Sequence, residues 1–212
     1  MEGAGVRFLD NQRTEYRSLT KATDAAVEPV SLADAKTHMR VDTDDDDAYI
    51  TALISAARQW AETYLDRSLV YTQWQMKLDM FPWEIELPRP PMAREGTNTS
   101  ITITYTLNDS LDTATLSTSE YRVDRDSTPG VARTNYGGSW PSHLADQNSV
   151  TVTWWGGYGE SASDVPAAIR HAILMHVGHL YERRLAADNV ASNEVPFGVK
   201  ALLDSQKWGQ YR

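Results

Sequence analysis

Five aspartates fall within six positions, Asp42 and Asp44 to Asp47, in the stretch "VDTDDDDAYI". Carboxylates at alternate positions are the material of a calcium loop, and Asp42, Asp44 and Asp46 alternate. Such a loop also needs glycine at its sixth position and a bidentate glutamate at its twelfth. Counted from Asp42, those positions hold Asp47 and Leu53. The turn and the closing ligand are both missing, so the run reads instead as the start of a helix. Acidic side chains in a first turn meet unpaired backbone N–H groups and the positive end of the helix dipole. Ile50, Leu53, Ile54, Ala57, Ala61, Tyr64 and Leu65 then recur at spacings of three and four, one apolar face of a helix over about 45–66. Thr43 or Asp44 is its expected cap.

Other candidate chemistries fail on their spacing. In "HAILMHVGHLYE", His176, His179 and Glu182 stand three apart, whereas zinc-protease helices place two histidines four apart with a glutamate after the first. His171 lies about 140° around the helix from His176. Packing, capping or interface roles suit these histidines better. "GGYG" lacks the Lys-Ser/Thr pair of a phosphate-binding loop and the following βαβ unit of a dinucleotide site, so it reads as a turn. Glu84 and Glu86 share one face of a strand, as solvated carboxylates commonly do, and no G-x-S-x-G elbow occurs. No catalytic, cofactor-binding or metal-ligating set emerges, and the chain is not expected to be an enzyme.

The composition agrees. The 212 residues carry 41% hydrophobic and 23% charged side chains, seven Trp and ten Tyr, which is globular material. Cysteine is absent, which removes disulfides, thiolate metal sites and cysteine nucleophiles. The net charge of −9 argues against a nucleic-acid-gripping domain, though not against a conduit that DNA passes without sticking. There is no apolar run of membrane-spanning length, and "MEGAGVRFLDNQR" lacks a signal-peptide core; no membrane partner is expected.

These segments imply an α+β fold. Residues 1–29 are polar and read as a mobile or partner-ordered arm. "VSLADAK" offers Ser31 and Asp34 as a capping-box-like start to a helix over 31–39. From Leu69 the period changes to two: "LVYTQWQMKLDMF", "ITITYTL" and "SVTVTWW" alternate, and "YRVD" and "GVART" flank a turn. "LPRPPM" is an extended edge or bend. Residues 69–159 are thus read as a mostly antiparallel β insertion. A helix over 166–187, capped by Asp164, presents Ile169, Ile173, Val177 and Leu180, and a short one covers 199–204. The helical core domain is then 30–68 plus 160–204, followed by a tail, 205–212. Leu202, Leu203, Lys207, Trp208, Tyr211 and Arg212 make a candidate docking element of aromatics and cations. The competing reading folds Trp208 back onto its own bundle.

The string "EPVSLADAKTHMRVDTDDDDAYITALISAARQWAETYLDRSL" resembles the head-tail connector (adaptor, head-completion) family of tailed bacteriophages and gene transfer agents, in its longer branch with a β insertion. "LPRPPM", "YRVD" with "PG", "SVTVTWWGGYG", "DVPAAIRHAILMHVGHLYERR" and "VPFGVKALL" extend the resemblance to about residue 204. It implies a virion structural protein without cofactors, at the head-tail junction (neck), assembled in the host cytoplasm. It further implies a ring of copies, by family habit twelve, between the portal and the stopper or tail-terminator protein. Double-stranded DNA would pass through without sequence-specific binding. Portal docking by the six tail residues is inferred from their chemistry alone. The alternatives are a cytoplasmic protein-binding module and a small hydrolase.

Overall fold

Two buried clusters organise the chain, one among helices and one between two β-sheets. The computed structural model describes residues 15–96, 98–183 and 195–207. Helix α1 (Leu32–Met39) starts where expected, because Ser31 and Asp34 cap each other: the Asp34 N–H donates to Ser31 Oγ at 3.1 Å and the Ser31 N–H donates to Asp34 Oδ2 at 3.4 Å. Helix α2 (Asp47–Leu65) buries Ile50, Ile54, Ala57, Ala61 and Leu65, the face its spacing marks out. It packs against α3 (Ala167–Glu182), which buries Ile169, Ala172, Ile173 and Val177; α4 (Phe197–Asp204) adds Val199 and Leu203.

Three details depart from the sequence reading. The residue at the α2 N-cap is Asp46, not Thr43 or Asp44, and its side chain makes no capping hydrogen bond. Asp164 does not cap α3. Its carboxylate accepts from the Ser161 N–H at 2.9 Å and closes a separate 3-10 turn over Ala162–Asp164, while Pro166 takes the α3 N-cap. Leu180 is half-buried and outside the helical cluster, although it stands within about 20° of Ile169 around the helix. Residues 184–187 of the expected helix lie outside the described residues.

Between α2 and α3 the chain makes strands β2 (Thr72–Leu78), β3 (Ile85–Leu87), β4 (Thr102–Thr106), β5 (Thr113–Thr115), β6 (Tyr121–Asp124), β7 (Gly130–Thr134) and β8 (Val150–Gly156). In β2 and β8 every second residue is buried, as the alternation requires. Their register sets Trp74 opposite Trp154, Met76 opposite Val152 and Leu78 opposite Val150. This face packs on Ile85, Leu87, Ala132 and Tyr121 from the second sheet. The "YRVD" and "GVART" segments pair as an antiparallel hairpin, with Asp124 accepting from the N–H groups of Asp126 and Ser127 in the turn.

The arm is the main correction. Ser18–Thr23 is a strand, β1, paired antiparallel with β2 from Ser18 opposite Lys77 to Thr23 opposite Gln73. The sheets are therefore β1-β2-β8-β4-β5 and β3-β7-β6, and a segment ahead of the helices belongs to the first of them. Residues 1–14 of the expected arm lie outside the described residues.

Ile173 has 1% of its surface exposed at the centre of the α2–α3 contact. Ile173→Ala should lower the unfolding free energy by about 2–5 kcal/mol in denaturant titrations, and Leu180→Ala by clearly less.

Candidate functional site

Helical and β units meet at a junction built by backbone exchange. The outgoing segment after α2 and the incoming one after β8 lie side by side: the Tyr158 N–H donates to Leu69 O at 3.1 Å, the Tyr71 N–H to Gly159 O at 2.9 Å, and the Gly157 N–H to Pro91 O at 2.7 Å. This explains "GGYG". A side chain on Gly157, at φ +139, would meet Val70 backbone at 2.5 Å, and one on Gly159 would overlap the Asp164 carboxylate. The glycines close the turn expected of them, with Asp164 packed against the place an anion would take.

A buried ionic cluster braces this junction. Arg58 is 3% exposed on α2. Its guanidinium donates to Glu28 at 2.7 Å and Glu62 at 3.2 Å and stands 3.6 Å from Asp24. Burial alone would lower the Arg58 pKa, but Glu62, Glu28 and Asp24 outweigh it and hold it above the ordinary value. Glu62 also accepts from Lys21 at 3.4 Å and from the Leu69 N–H at 3.3 Å. One arginine thus fastens the connector after β1, the middle of α2 and the start of the β unit. Arg89, from the proline-rich bend, adds an ion pair with Asp66 at 3.1 Å and lies over the Trp74 ring at 5.4 Å. Sequence reasoning passed over Arg58, because its partners lie 30 residues away and only the helix-mate Glu62 was visible.

The acidic run serves a similar end. Lys36 of α1 donates to Asp44 at 2.6 Å and Asp47 at 2.8 Å, and the Tyr181 hydroxyl of α3 donates to Asp46 at 2.6 Å. The Lys36 contact holds the Asp44 carboxyl below the usual carboxylate range. These carboxylates tie three helices together. Among the described residues no group of three or more His, Asp or Glu side chains is placed to hold a metal.

The histidines pack. His176 is buried, with its ring edge-on to Trp60 at 4.8 Å, while His171 turns away to meet His38 of α1 edge-on at 6.0 Å. Glu84 ion-pairs with Arg133 across the β3–β7 ladder.

The structure divides the expected docking element. Leu203 is fully buried in the helical core and Leu202 is packed against it, so Leu203 belongs to the chain's own interior and not to an exposed docking face. The cause is α4, which folds back on α3 and α2 and turns its apolar side inward. Lys207 ion-pairs with Asp204 at 2.9 Å and caps the Tyr64 ring at 3.6 Å, and the Tyr64 hydroxyl donates to Asp204 at 2.8 Å. Trp208, Tyr211 and Arg212 lie outside the described residues.

This geometry holds an assembly of faces and clasps. Residues 29–122 match the family model of the phage gp6-like head-tail connector protein. That is the family the sequence resembles. Comparison with curated protein sequences returns no match. Among solved structures, the fold matches a chain in the neck of an empty gene transfer agent particle computed with C6 symmetry, at a TM-score of 0.71 and 21% identity over 92% of this chain and 97% of that one. A chain of the native gene transfer agent virion matches at 0.70 and 20% identity, with the same coverage. One from the native neck computed with C12 symmetry matches at 0.63 and 20%. The α+β arrangement with its β insertion is therefore the fold of those gene transfer agent chains.

Two tests follow. Arg58→Met strands Glu28 without its cation and leaves the buried Glu62 with Lys21 alone, and should cost about 3–5 kcal/mol in chemical denaturation. His176 has its pKa depressed, first by burial and then by His179, so the unfolded chain takes up a proton that the folded one resists. Stability should be full above pH ~6.5 and fall as the pH drops below it, and His176→Phe should flatten that slope in pH-resolved melts.

Proposed function

We propose that the chain is a virion structural protein that forms a ring adaptor at the head-tail junction, between the portal and the stopper or tail-terminator protein. The observation that carries this reading is the coincidence of the family match over 29–122 with a fold shared, over nearly the whole of both chains, with gene transfer agent neck proteins. The chemistry of the chain supports it. The carboxylates and histidines that sequence offers as catalytic material are spent on clasps between helices and on packing. What a ring adaptor needs is a rigid subunit with two different faces, and the Arg58 cluster makes one body of the helical and β units.

In this reading the portal, the next neck protein and further copies of the chain are the partners, and double-stranded DNA passes through the ring. The net charge of −9 suits a channel that DNA must traverse without being held. The C-terminal residues Trp208, Tyr211 and Arg212, following the Lys207 contact on Tyr64, remain the proposed portal-docking element. Aromatic and arginine side chains are the usual anchors of such contacts.

Particles assembled without the chain should accumulate as DNA-filled heads that lack tails, seen by negative-stain microscopy; normal tailed particles would overturn the proposal. Deleting residues 208–212 leaves Leu203 and Lys207 in place. The melting temperature should be unchanged while portal binding weakens about tenfold or more in a pull-down titration.

A further inference from the structure

Among the described residues, five of the eight exposed large apolar side chains gather at one end of the β unit. Tyr16 precedes β1, whose first residue pairs with Lys77 near the end of β2. Met80 and Trp83 lie on the loop from β2 to β3. Leu111 lies on the loop after β4, at the end where Tyr105 pairs with Val150, and Tyr136 follows β7 where Ala132 pairs with Ile85. The helical unit joins the opposite end, at Thr72 and Gly156, so these side chains form a distal tip. Trp83 is 88% exposed and Tyr136 wholly so.

The tip is built to hold its shape. Phe81 and Trp140 stack at 4.8 Å, and the Trp140 indole N–H donates to Pro82 O at 2.6 Å. The Phe81 N–H donates to His143 Nε2 at 3.3 Å, the Leu144 N–H to Thr106 O at 3.0 Å, and the Ser149 hydroxyl to Asp79 O at 2.7 Å. Two loops and the end of β4 are locked to one another beneath an exposed indole. Rigid exposed aromatics with a polar rim, here the Arg17–Asp79 and Glu84–Arg133 pairs, have the composition of an interface centre.

We propose that this tip is a contact between neighbouring copies of the chain, an inference that rests on the ring reading above. Five such side chains offer on the order of 500 Å² of apolar surface. A standard interface needs roughly 800 Å² per partner, so the tip supplies its centre and the ion-paired rim the remainder. A ring also requires the contact to be head-to-tail, between two different faces. The other three exposed large apolar side chains, Val27, Tyr49 and Phe197, stand on the helical unit and its approach, which in this proposal supplies the second face.

Because the chain has no cysteine, Tyr136→Cys gives a single attachment point for a benzophenone-maleimide probe on the full-length protein. Rings assembled from mixed ¹⁴N and ¹⁵N copies should yield cross-linked peptides of mixed isotope. Cross-links confined to the probe's own chain, or made only to the portal, overturn the proposal. The Met80→Ser, Trp83→Ser double variant should keep its melting temperature while its ring population at fixed concentration falls about tenfold by native mass spectrometry. Undiminished rings overturn the contact and leave the ring reading standing. A wild-type chain that stays monomeric with and without portal removes the ring reading, and this contact with it.

Discussion

A buried arginine that must be neutralised sets the terms for the rest of this molecule. Arg58 sits in the middle of α2 with almost no access to water, and an uncompensated charge there would be far more costly than the ion pairs that answer it. Its partners come from three places in the chain, Asp24, Glu28 and Glu62. Satisfying it therefore brings the connector after β1 against α2, and Glu62 in turn receives the Leu69 N–H where the β unit begins. Beside that cluster, the backbone exchange and the Arg89–Asp66 pair hold the helical core to the β unit. With all three, each core positions the other.

Rigidity at the junction gives the molecule two ends. The helical end is tied by Lys36 and Tyr181 to the aspartate run and closed by α4. The β end is a sandwich whose loops are locked by stacked aromatics. In the proposed ring a subunit of this kind would offer fixed, different faces to its neighbours, as closed rings demand.

Much of this fold is legible in the residues themselves. The Ser31 and Asp34 box, the α2 stripe and the period-two runs of β2 and β8 are local signals, and each matches its element. What escaped is non-local. Ser18–Thr23 carries one large apolar residue, Leu19, and is a strand because the β2 edge supplies its ladder. Leu203 looked available for docking because its cover comes from α2 and α3, far back in the chain. The distal tip is assembled from loops up to about 120 positions apart, so single exposed aromatics in the sequence gave no sign that they meet. The likeness to head-tail connectors was legible from motif order and spacing, and the family model matches residues 29–122.

Electron microscopy of the purified chain, with and without its portal, tests the central claim most directly. Closed rings of a single chain type seated on the portal, with rotational symmetry matching it, are the predicted result. A protein that binds no portal and forms no closed ring at any concentration would contradict it.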